Sequence, residues 1–196
     1  MSLKLNEIKN DDKGTLAPCG ILCLGCDTHT GESLEAAKTL KEIWEGMNIE
    51  DIGPFTGLNL KEIQATFKTL DKYIKANKKG SCPGCFVGGG PSQICGIANC
   101  VKSKGFWTCA ECEEYKSELD IPCPHVKKVK VPMTDKGSMM GLICMRYNRD
   151  NVQNLIKCRE IGYSEFIKEA KKKVADGWRT WQVISKEKIF SGNENK

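Results

Sequence analysis

Gly80-Ser81-Cys82-Pro83-Gly84-Cys85-Phe86-Val87-Gly88-Gly89-Gly90-Pro91 decides how this chain folds. Glycine and proline at these positions break any long helix or strand, and too few apolar side chains are present to build a core. Order here must come from what the cysteines bind. Outward from this segment the same chemistry repeats: Cys19, Cys23 and Cys26 stand as C-x3-C-x2-C, Cys95 and Cys100 as C-x4-C, Cys109 and Cys112 as C-x2-C, and Cys123 stands two residues before His125. Ten of the twelve cysteines fall between Cys19 and Cys123. A short loop can bring two thiolates to one point, and tetrahedral zinc sites are made from two such pairs.

The compartment decides between metal and disulfide. Met1 to Lys13 carries charge throughout and has no apolar run, and no stretch approaches the roughly 18 apolar residues of a membrane span. We expect a cytoplasmic protein without a membrane partner. A reducing cytosol disfavours disulfides, so the spacings point to metal. The formal net charge of +5 invites nucleic acid, but four thiolates on one divalent ion carry about −2, so two such sites would bring the chain to about +1. Lys127-Lys128-Val129-Lys130 and Lys171-Lys172-Lys173 then read as solvated faces, and nucleic acid is not expected as a partner.

Helical patterns surround the cysteines. Leu34, Ala37, Leu40, Trp44 and Met47 form one stripe, and Leu60, Ile63, Phe67, Leu70 and Ile74 another, with Asn59 and Glu62 placed as a capping box. They predict an antiparallel helical pair over 32–77, inserted between metal-binding loops. Short helices are expected around Gly96–Lys104 and Ala110–Leu119. On a continuous helix Cys95 and Cys100 would point about 140° apart, so at least one belongs to the loop before it. Asp150 with Gln153 resembles a second capping box, opening a helix that Gly162 stops. Ser164 is placed to cap the next helix, with Phe166, Ile167, Ala170 and Val174 inward. Trp178, Trp181, Val183, Ile184, Ile189 and Phe190 read as a strap returning over the core. The expected fold is mainly α with irregular cysteine-rich zinc-binding loops, in one domain over 14–192. Its cysteine-rich part covers 14–126, and its C-terminal helices and tail cover 139–192.

The expected ligands are Cys19, Cys23, Cys26, Cys82, Cys85, Cys95, Cys100, Cys109, Cys112, Cys123 and His125, with His29 as a further candidate, holding two zinc ions or three. Cys144 and Cys158 lie outside the run and read as small buried hydrophobes. Iron–sulfur ligation is the alternative, because C-x3-C-x2-C is also the three-thiolate pattern of radical S-adenosylmethionine enzymes. That family normally brings an aromatic residue before the third cysteine, where this chain has Gly25, and a strand–helix barrel of which there is no pattern here. Cys82-Pro83-Gly84-Cys85 lacks the strand before and helix after that a redox dithiol needs. Gly88-Gly89-Gly90 lacks a following Gly-Lys-Ser/Thr and reads as a flexible span between ligand groups. No Ser/His/Asp or Cys/His nucleophile arrangement stands out, so an enzyme is not the favoured reading.

Ala17-Pro18-Cys19-Gly20-Ile21-Leu22-Cys23-Leu24-Gly25-Cys26, Cys82-Pro83-Gly84-Cys85, and Cys95-Gly96-Ile97-Ala98-Asn99-Cys100 with Cys109-Ala110-Glu111-Cys112-Glu113-Glu114-Tyr115 resemble the cysteine-rich prokaryotic proteins of domain-of-unknown-function family 3795. The resemblance runs from about Leu16 to Phe190. Family members place Pro-Cys directly after the tyrosine, whereas Lys116 to Ile121 precede Pro122-Cys123 here. The resemblance implies a zinc-binding protein and supplies no catalytic residues. The expected function is structural zinc binding with a protein-interaction or regulatory role. The alternative is an iron–sulfur electron carrier or radical enzyme.

Overall fold

The computed structural model describes residues 8, 10–77, 82–90, 92, 93, 95–115 and 150–183. Cys123, His125, Cys144, the lysines of 127–130 and the strap from Ile184 to Phe190 lie outside them. The chain divides into two compact units, one of residues 1–29 and 82–196 and one of residues 30–81. The described residues are mainly helical, and their sole β pairing is one antiparallel bridge between Leu16 and Leu22.

The unit of residues 30–81 is built on helices α1 (Glu32–Gly46) and α2 (Leu60–Ala76), which pack together as the two stripes require. Asn59 accepts from the Glu62 amide at 2.9 Å while the Glu62 carboxylate accepts from the Asn59 amide, closing the expected capping box. Trp44 meets Phe67 edge to face at 5.9 Å, and Lys41 bridges Glu45 and Asp71. Ile63 is buried, but Leu40 and Met47 of the expected stripe are largely exposed. The pair therefore covers less apolar surface than its pattern offers.

The other unit holds α3 (Gly96–Ser103), α4 (Asn151–Ile161) and α5 (Tyr163–Ala175). Its core gathers Leu16, Leu22, Trp107, Ala110, Leu155, Tyr163, Phe166, Ile167 and Ala170. Trp107 is completely buried, stacks obliquely on Tyr163 at 4.5 Å and donates its indole N–H to the Lys13 carbonyl at 3.1 Å. Gly162, at φ 80°, ends α4 and begins α5 in one residue. Ser164 consequently lies inside α5 and is not its cap. Asp150 does precede α4, but at φ −117° and ψ 7° it lacks the extended backbone that lets an N-cap side chain turn back, and it makes no capping hydrogen bond. The helix expected at Ala110–Leu119 is also absent from its described part. A single 3-10 turn, Cys109–Glu111, ends where Cys112 becomes extended, and residues 116–119 lie outside the described set.

Candidate metal centre

Two cysteine loops share one local design. In Cys23–Cys26 and in Cys109–Cys112 the amide of the second cysteine donates to the carbonyl of the first, at 2.9 and 3.1 Å, closing a 3-10 turn with a thiol at each end. In Cys82–Cys85 the neighbouring glycines do the work. Gly89 donates to the Gly84 carbonyl at 2.9 Å, and a Cβ on Gly89 would lie 2.5 Å from the Cys82 sulfur. Gly89 thus packs against the Cys82 thiol where no side chain would fit, and Gly90 lies beside the Cys85 sulfur.

Polar side chains of the C-terminal helices hold these loops by their backbones. Asn151 donates to the Cys19 carbonyl at 3.0 Å, Asn154 to Gly20 at 2.9 Å and Thr180 to Leu22 at 3.0 Å. Arg159 donates to the carbonyls of Ala110, Cys112 and Tyr115 at 2.7, 2.8 and 3.0 Å. Glu111 accepts on one carboxylate oxygen from the amides of Trp107 and Thr108 and from the Tyr163 hydroxyl. That hydroxyl accepts in turn from Thr108. Burial holds Tyr163 far above its ordinary pKa, so it remains a donor to Glu111. Trp178 closes the first loop: a Cβ on Gly25 would lie 2.7 Å from its indole.

These loops surround one cavity of about 210 Å³, lined by Cys19, Cys23, Cys26, Cys82, Cys85, Cys95 and His29 together with Ala17, Pro18, Ile21, Thr28, Gly90 and Ala98. Cys82 donates its amide to the Thr28 carbonyl at 2.6 Å, which draws the second loop onto the first. The Nδ1 of His29 lies 2.5 Å from the Cys82 carbonyl. A carbonyl only accepts, so Nδ1 carries a proton, which leaves Nε2 as the ring nitrogen that could meet a metal. Cys23 and Cys85 share a sulfur hydrogen bond. That bond, followed by burial, raises the pKa of Cys23, and the same bond lowers Cys85 to about 7.

A second, smaller pocket of about 20 Å³ is lined by Cys100, Cys109, Cys112, Val101, Lys104, Phe106 and Tyr115. The C-x4-C pair is therefore split. Cys95, in the loop preceding α3, faces the large cavity, and Cys100, on the helix, faces the small one. As the side chains stand, no three Cys, His, Asp or Glu residues among those described converge on a single point as an ion would require. Cys158 is completely buried within α4, and burial pushes its thiol up to about 12, as fits a packing residue.

The profile of a family described as a protein of unknown function, DUF3795, matches residues 15–128, more than half of the chain. The chain belongs to the DUF3795 family. Neither comparison, with curated proteins or with solved structures, gives a match. Within this DUF3795 chain the sequence reading found the thiols but placed His29 outside its principal ligand set, although His29 sits three residues past Cys26. Arg159, Asn151, Asn154 and Thr180 carried no sequence signal at all, because a side chain that braces a distant carbonyl looks like any surface polar residue.

Proposed function

We propose that this protein binds zinc through its cysteine loops and that the metal serves mainly to order them. The observation that carries the reading is the single cavity on which six cysteines and His29 meet. Soft thiolates with one imidazole suit zinc, and two tetrahedral ions need eight ligand positions. Cys19, Cys23, Cys26, Cys82, Cys85, Cys95 and His29 would supply seven donors toward those positions. Zinc supplies only a closed-shell charge for thiolates to gather around. The protein contributes backbones fixed by Asn151, Asn154 and Thr180, the proton on His29 Nδ1, and apolar walls from Ala17, Ile21 and Ala98.

The size of the cavity favours iron–sulfur ligation as a second reading. One water-sized sphere takes up about 10–15 Å³, so a space of about 210 Å³ has room for a multi-atom cluster. The test is metal analysis of protein purified without oxygen. The zinc reading expects about two zinc per chain in this cavity and no broad absorption near about 400 nm, since zinc has a filled d shell. Visible absorption with matching iron would replace it. Cys85→Ser should lower the metal content and Cys158→Ser should not, and equal loss from both would show that the ligands are wrongly divided.

An interaction role is part of the proposal, supported by exposed apolar side chains in the unit of residues 30–81. Phe55 is 92% exposed, and Ile43, Met47 and Ile52 are also largely open. Among the described residues no helix is long and apolar enough to cross a membrane. A cytoplasmic location, the absence of enzymatic activity and weak affinity for nucleic acid complete the proposal. Tight RNA binding at about 0.15 M salt would count against the last.

A further inference from the structure

We infer that Cys100, Cys109 and Cys112 form a separate one-ion site, built around the small pocket and distinct from the large cavity. The three thiols reach it from two directions, Cys100 from α3 and the other two from the ends of the Cys109–Glu111 turn. Its volume, about 20 Å³, is that of little more than one water-sized sphere, about 10–15 Å³. The size matches one ion as clearly as the other cavity exceeds it. The turn that presents Cys109 and Cys112 is braced by several side chains. Arg159 donates to the carbonyls of Ala110, Cys112 and Tyr115, Glu111 accepts from the amides of Trp107 and Thr108, Thr108 accepts from the Ala110 amide, and the Tyr163 hydroxyl bonds both the Glu111 carboxylate and the Thr108 hydroxyl. The thiols do not converge as they stand, so closing on an ion asks them to turn to other staggered rotamers on a backbone that these bonds hold.

Two further observations point to an occupant. Tyr115 lines the pocket and is 4% exposed, yet its hydroxyl has no hydrogen-bond partner among the described residues. A buried phenol without a partner is costly, and a thiolate or another ligand on the ion would accept its hydrogen bond. Lys104 places its ammonium 3.5 Å from the Cys112 sulfur and 3.1 Å from Glu114. A cation beside a thiolate fits a cluster of negative sulfurs, because three thiolates on a divalent ion leave a net charge of about −1. The donor set, all sulfur, selects a soft or borderline ion such as zinc over magnesium or calcium.

The test uses the full-length chain and zinc itself, counted by native mass spectrometry, with cobalt(II) as the optical probe. Cys100→Ser and Cys112→Ser should each remove about one zinc per chain and leave the metal of the large cavity in place. Cys23→Ser should do the reverse. Cys100→His keeps a ligand and should retain that zinc, while the sulfur-to-cobalt charge-transfer intensity of this site falls by about one third, as one thiolate of three is lost. The histidine variant keeps the test decisive if the serine variants do not fold. The inference is overturned if Cys100→His leaves the cobalt spectrum unchanged, or if Cys100→Ser removes all metal just as Cys23→Ser does, since the two sets would then be one site. A chain that keeps one zinc dependent on Cys100 but shows none dependent on Cys23 would sink the proposed function and leave this site standing.

Discussion

The two units reach order by opposite means. The unit of residues 30–81 is a pair of helices joined by short turns, held by a capping box, an edge-to-face aromatic contact and exposed ion pairs, with little beyond Ile49 and Ile63 deeply buried. The cysteine-bearing unit has a larger core, but its loops are positioned by long-range hydrogen bonds from buried or half-buried polar groups to backbone carbonyls. Local sequence specifies the first kind of order, because its cap spans three residues and its helix–helix contacts follow from two amphipathic stripes. The second kind depends on partners 44 to 158 residues apart, and it holds the backbones that carry the thiols.

Metal removal is the harshest way to break this comparison. Chelation should abolish the cooperative melting of the cysteine-bearing unit while much of the helical signal of α1 and α2 persists, because only one unit carries the thiols. Hydrogen exchange followed by fragment mass spectrometry reads both at once. Simultaneous loss of protection in residues 32–76 would show that the two units do not differ as described.

Next in size is Trp107→Ala. The side chain is fully buried against Tyr163 and donates to Lys13, so truncation should cost about 3–5 kcal/mol. Denaturant titration checks it, and a cost below about 1 kcal/mol would remove Trp107 from the centre of the core. Arg159→Met keeps most of the side-chain length but strips three carbonyls of their donor. It should cost about 2–3 kcal/mol and loosen the Cys109–Tyr115 loop, seen as faster amide exchange there. Unchanged exchange would make the guanidinium a bystander. The smallest effect sharpens the other half of the comparison. Asn59→Ala should cost about 1 kcal/mol in the helical unit alone and leave the metal content untouched.

The sequence disclosed most of what is locally encoded. Stripes of period 3.6 located α1, α2 and α5, and Asn59 with Glu62 marked a cap that forms. It misled where two local rules compete. Cys109-Ala110-Glu111-Cys112 has good helix formers, but a loop that must aim both thiols the same way turns extended at Cys112. Asp150 and Ser164 are good cap residues in positions whose backbone geometry is dictated by other contacts. The division of Cys95 from Cys100 was half legible: helix geometry ruled out a shared face, and only the fold showed that the two sulfurs open onto different pockets.

Trp178 against Gly25 and Arg159 across the Cys109–Cys112 loop bear on where this protein can be cut. The family profile ends at residue 128, yet Asn151, Asn154, Arg159, Tyr163, Trp178 and Thr180, which fasten the cysteine loops, all follow it. The side chains that hold the cysteine loops of the matched span therefore come in part from outside it. A fragment trimmed to the homologous region would carry nearly every thiol and none of these clamps, so expression boundaries belong beyond Val183.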